Sequence, residues 1–138
     1  MIKEIVERWD KNKTRLEEWF RKGHPEDYSA IVKQIIVLVI NGQENDYDDY
    51  DEEKMVVIDH GDYQGTQLFI IPRKTYQPSA DDYLFTHNYY GSCSGCDTLE
   101  SIKNYEDTPP SESQIKEYMG LALNLIQRMK KWGDLGDE

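Results

Sequence analysis

Two cysteines and two histidines are the residues of this chain whose types and spacing suggest a metal. Cys93 and Cys96 have the spacing at which a pair of thiolates holds one zinc ion, and they follow an aromatic, strand-like segment. A tetrahedral site needs two more ligands, which His60 and His87 could supply if the strands that carry them are neighbours. The second half of a zinc signature is missing, so the sequence predicts no cofactor and leaves zinc as an alternative.

The same segment, YYGSCSGCDTLESI, supports three other interpretations. A thiol just before a helix is readily ionised, which suits redox chemistry. The small residues at 91–95 expose backbone N–H groups that could bind an anion or another small ligand, although no lysine or arginine lies among them. We favour the third, a tight strand-to-helix turn with both cysteines buried, because free cysteine is among the most buried residue types.

A run of acids, ENDYDDYDEE, is the strongest feature of the composition. The formal net charge is -11, and without the seven acids of this run it would be about -4. Such a surface repels phosphate backbones, which disfavours direct binding to nucleic acid and favours a basic protein partner. A membrane is not an expected partner either, because no apolar run is long enough to span a bilayer. The alternative without a binding function is a solvated loop. The run does not match a calcium-binding EF-hand, because it lacks that motif's glycine and ligand order. The predicted partner-binding residues are Glu44, Asp46, Tyr47, Asp48, Asp49, Tyr50, Asp51, Glu52 and Glu53.

No motif of the chain predicts catalysis. Asp59, His60 and Asp62 could form an acid–base group, but a hairpin loop is the simpler explanation. Asp59 and His60 would also point to opposite faces of a strand, which argues against a catalytic pair. The sequence contains no phosphate-binding loop, dinucleotide fingerprint or serine-nucleophile motif. We therefore predict that the protein is not an enzyme.

Helices are predicted at both ends of the chain. Apolar residues recur at three- and four-residue steps over Met1–Lys22, and a second helix is predicted over Pro25–Ile40, with Pro25, Glu26 and Asp27 in its first turn. The β-branched stretch at 34–40 leaves a strand as the alternative. A last helix is predicted from Ser111 to about Trp132, because Ser111 and Gln114 have the spacing of a capping box and an apolar stripe continues as far as Met129.

The segments between these helices are typical of strands. Met55–His60 and Thr66–Pro72, joined by GDYQG, are predicted to form a β-hairpin, and the alternating segment Tyr83–Tyr90 is a third predicted strand. A short helix is predicted over Asp97–Ile102, with Asp97 as its cap. Successive strands between helices indicate an α+β fold: a small antiparallel sheet of three or more strands packed against N-terminal helices and a long C-terminal helix.

The length of 138 residues predicts one domain, 1–138, with an acidic loop at 43–54 and a frayed tail at 134–138. The first residues do not resemble a secretory signal and no apolar run could span a bilayer, so we expect a cytoplasmic protein. Trp9, Trp19 and Trp132 leave a homodimer open.

Three segments, GDYQGTQLF, TYQPS and YGSCSGCDTL, resemble small uncharacterised proteins of bacteriophages and mobile elements of Gram-positive bacteria. The resemblance covers about Met55 to Lys131 and brings no catalytic residue with it. It implies a phage accessory protein in the host cytoplasm. We expect a non-enzymatic inhibitor of a host nucleic-acid-handling or defence protein, of the anti-CRISPR or anti-restriction type. The alternative is a small-molecule or zinc-binding domain centred on Cys93 and Cys96.

Overall fold

The computed structural model describes residues 2–41, 49–61, 65–74, 83–90, 98–103 and 108–131. Two helices come first, followed by three strands, two further helices and a short fourth strand. This order confirms the predicted α+β fold.

The N-terminal part is helical, as the apolar periodicity predicts. Helix α1 spans Ile2–Lys22, and α2 spans Tyr28–Ile35 and continues as a π-helical segment, Ile36–Ile40. The helix predicted for 34–40 is therefore confirmed and the strand alternative is wrong. Asp27 is the N-cap of α2, since its Oδ1 accepts a hydrogen bond from the N–H of Ala30 at 2.8 Å. The helix thus begins three residues later than predicted.

Four antiparallel strands form one sheet in the order β1-β2-β3-β4. β1 is Val56–Gly61, β2 is Gly65–Pro72, β3 is Tyr83–Tyr90 and β4 is Lys130–Lys131. The register places Phe69 opposite Thr86 and Ile71 opposite Leu84, and all four side chains are buried on one face. The opposite face carries the rows Val56–Ile70–Phe85 and Ile58–Leu68–His87.

The C-terminal part differs from the prediction at its end. Helix α3 is Thr98–Lys103, and Asp97, its predicted cap, lies outside the described residues. Helix α4, Glu112–Gln127, starts with the predicted capping box of Ser111 and Gln114. It does not continue to Trp132, because the chain turns at Arg128 and Lys130–Lys131 pair with Phe85 and Leu84. Met129 continues the apolar stripe of α4, yet it is buried beyond the end of the helix.

One apolar cluster joins the helices to the inner face of the sheet. α1, α2 and α3 all pack against α4, which contacts β3. Thr86 brings a hydroxyl into this interior and donates a hydrogen bond to the carbonyl of Leu125 at 2.7 Å. None of the helices within the described ranges combines the length and apolarity needed to cross a membrane.

Candidate partner-binding site

The acidic run is tied at Tyr50 to Asn41, which lies three residues before the run begins. The Asn41 side-chain amide donates to the Tyr50 carbonyl at 3.0 Å, and its Oδ1 accepts from the Tyr50 N–H at 2.8 Å. Both residues are buried. The side chain of Asn41 therefore pairs with the Tyr50 backbone as a neighbouring strand would, and we call this pair the base of the acidic run.

The closed base is in turn attached to the end of β2. Tyr50 and Arg73 form an isolated antiparallel bridge. It is flanked by hydrogen bonds from the Asp51 N–H to the Pro72 carbonyl at 2.7 Å and from the Lys74 N–H to the Asp49 carbonyl at 2.9 Å. The Arg73 guanidinium lies 4.8 Å from the centre of the Tyr50 ring, a cation–π distance. The acidic run is thus anchored to the sheet at its carboxyl end.

Helix α1 fixes the segment that precedes the acidic run. The carbonyls of Leu38, Val39 and Ile40 end the π-helical segment and cannot all be paired within it. Arg15 donates to the first, Asn12 to the second and Arg8 to the third. Asn41 follows directly, so three side chains of α1 hold the residue that closes the loop.

Past the base, the acids turn outward in a single turn of 3₁₀-helix, Glu52–Lys54. Asp51 is its N-cap, with Oδ1 accepting from the Glu53 N–H at 3.1 Å. Glu53 is exposed, and Asp51 and Glu52 are partly exposed. These three carboxylates form the described part of the acidic surface.

The structure changes the role of two of the nine predicted contact residues. Asp49 is 8% exposed and Tyr50 only 4%, and the Tyr50 ring is part of the apolar core. Both residues build the base of the loop, so the Tyr50 side chain presents no surface that a partner could contact. Glu44, Asp46, Tyr47 and Asp48 lie outside the described residues, and for them partner contact stays a prediction.

The proposed zinc ligands are only partly described. Cys93 and Cys96 lie outside the described residues, and of His60 only the backbone is described. The prediction assumed that the strands of His60 and His87 are neighbours, which is wrong because β2 separates β1 from β3. Among the described residues, no group of three or more histidines, cysteines and acids is placed to hold a metal ion.

His87 lies on the outer face of β3, partly buried and with its ring edge-on to Tyr89. Burial, with Arg128 and then Lys130 nearby, lowers the pKa of the His87 imidazole below its ordinary value. A neutral imidazole is the form that binds metals, but the same two cations would repel a bound divalent ion.

The lowered pKa of His87 predicts a dependence of stability on pH. The unfolded chain takes up a proton at about pH 6.5 and the folded chain only at lower pH, so stability falls as pH decreases through this window. Between about pH 7 and pH 5 the wild type should lose more stability than His87→Gln, which cannot titrate. Urea unfolding at several pH values measures the difference, and the other histidines cancel because both proteins contain them. An equal loss of unfolding free energy between pH 7 and pH 5 in the two proteins would contradict this prediction.

Sequence patterns did not reveal the residues that anchor the acidic run. Asn41 with Gly42 indicates only the end of a helix, and no sequence pattern singles out Arg73. An asparagine directly before a glycine at a helix end was the available local signal, but its partner lies nine residues further along the chain.

Comparison of the chain with protein-family models, curated proteins and solved structures found no significant match. The resemblance to phage and mobile-element proteins therefore stays a prediction.

Proposed function

We propose that this protein is a non-enzymatic accessory protein of a phage or mobile element that binds a basic protein in the cytoplasm of its bacterial host. The acids of the run Glu44–Glu53 other than Asp49 form the contact surface, on the base that Asp49 and Tyr50 build. The partner is a nucleic-acid-handling or defence protein, and binding blocks the groove with which it holds nucleic acid.

The observation that supports this proposal most is the anchoring of the acidic run at Tyr50, within the run, and at Asn41, just before it. Asn41 and Tyr50 close its base, and the bridge to Arg73 attaches that base to β2. A loop with fixed ends loses less conformational freedom on binding than a free segment, so more of the interaction energy appears as affinity. A loop that only kept the protein in solution would not need a base of buried hydrogen bonds.

The charge pattern indicates the class of partner. Seven acids in ten residues form a local concentration of negative charge on a chain that is otherwise mildly acidic. Duplex DNA carries one negative charge per roughly 1.7 Å of its axis, so a protein that binds DNA offers a complementary basic groove. Closely spaced carboxylates can compete for such a groove and accelerate the encounter.

Salt dependence tests the proposal. Tagged full-length protein should capture a basic protein from a lysate of a Gram-positive host at low salt and lose most of it at high salt, because salt screens exposed charges. Mass spectrometry identifies the captured protein, and competition with duplex DNA shows whether it holds nucleic acid at the same surface. Capture that is equally strong at both salt concentrations, or unaffected by DNA, would contradict the proposal.

The alternative of a zinc or small-molecule site centred on Cys93 and Cys96 has no described contact in its favour and stays a prediction. Metal analysis of protein purified without a histidine tag distinguishes it, since stoichiometric zinc is expected only for that alternative.

A further inference from the structure

β1, Val56–Gly61, is an edge strand of the sheet. Its inner edge pairs with β2 over six residues, and no strand in the described part of the chain pairs with its outer edge. Such an edge presents a row of N–H and C=O groups that can pair with another extended chain.

The side chains at this edge are apolar and exposed on both faces. Val56 is 52% exposed, Val57 38% and Ile58 50%. In the row Val56–Ile70–Phe85 the exposed fraction rises towards the edge from 8% at Phe85. Proteins usually protect such edges with charges, proline or a bulge, and these three positions carry no charge or proline.

Acids stand at both ends of the exposed stretch. Asp51, Glu52 and Glu53 precede β1, with Lys54 as the single cation, and Asp59 lies in its second half. A second copy added antiparallel would bring the acids before one strand close to Asp59 of the other, and like charges placed opposite each other are destabilising. The net charge of -11 further opposes self-association.

We propose that the edge of β1 accepts an extended segment of the partner as a fifth strand of the sheet. The segment has β-branched or other apolar residues opposite Val56–Ile58 and lysine or arginine at its ends, beside the acids. This inference rests on the proposed function and deepens it: the acids attract the basic partner, and β1 binds its backbone.

Short synthetic peptides and the full-length protein test the inference. The probe has valine, threonine and valine at its centre and two lysines at each end. A second peptide is identical except for N-methyl groups on its central amides, and a third has prolines at the centre. Calorimetry should show that both changes weaken binding by roughly tenfold or more, because main-chain hydrogen bonds supply the affinity of an added strand.

A protein variant provides the matching control. Val56→Thr combined with Ile58→Thr keeps β-branched residues at exposed positions, so the fold should persist, which circular dichroism checks. The double variant should bind the probe several-fold more weakly, because apolar contact is lost. Its binding to the proline-centred peptide should not change, since that peptide meets only the acids.

Three results would overturn the inference. Equal binding of the probe and its N-methylated form would show that charge alone is recognised, which leaves the proposed function intact. No binding of the probe, together with salt-sensitive capture of a host protein by the Thr variant, would remove the edge from the interface. A dimer seen by sedimentation in the wild type and lost in the Thr variant would assign the edge to a second copy.

Discussion

Replacing Asn41 with alanine is expected to lower the free energy of unfolding by about 2–4 kcal/mol. The substitution removes two hydrogen bonds at once and leaves the buried N–H and C=O of Tyr50 without the partners that Asn41 provides. Each buried polar group that loses its partner costs about 1–3 kcal/mol. The base of the acidic run would open, so affinity for the partner should fall as well.

Urea unfolding followed by circular dichroism measures this loss of stability. Asn124→Ala is the matched control, because Asn124 is an exposed asparagine in α4, where alanine is the better helix former. The control should be as stable as the wild type or slightly more so. An Asn41→Ala protein that unfolds at the same urea concentration as this control would show that the paired hydrogen bonds do not support the loop.

Reversing the charge of five acids of the run should weaken partner binding by roughly a hundredfold or more, since like charges placed together across an interface cost several kcal/mol. The five residues are Glu44, Asp46, Asp48, Glu52 and Glu53, each replaced by lysine. Asp49 and Asp51 are kept, because Asp49 is buried and Asp51 caps the 3₁₀-helix. Reversing them would disturb the fold and obscure the effect on binding.

A second set of five reversals controls for net charge. Glu7, Asp10, Glu18, Glu26 and Glu117 are exposed acids outside the run, and their replacement by lysine changes the net charge by the same amount. Capture of the host protein and calorimetry with the purified partner compare the two variants. An equal loss of partner binding in both variants would show that total charge, and not the acidic run, governs binding.

The main elements of the fold were predictable from local patterns. Three- and four-residue apolar periods predicted α1 and α4. The hairpin pattern around GDYQG and the alternation in Tyr83–Tyr90 predicted three strands to within one residue at each end. The capping box at Ser111 and Gln114 was predicted for the same reason, because its two residues lie three positions apart. Each of these signals depends on neighbouring residues.

The end of α4 shows where such signals stop being sufficient. Met129 keeps the helical spacing, so the stripe alone predicts a helix as far as Trp132. The chain instead pairs Lys130 with Phe85 and Lys131 with Leu84, residues more than forty positions earlier. No local pattern contains the information that the edge of β3 is available at that point.

The same distinction between local patterns and long-range contacts applies to the candidate site. The sequence by itself determined that seven acids lie in one short run, and a basic partner is a prediction from that charge. Only the tertiary structure decided which of these residues can meet a partner, by placing Tyr50 in the core beside Arg73 and closing the loop through Asn41. Charge is a sum over residue types, whereas burial and hydrogen bonding depend on contacts between residues far apart in the chain.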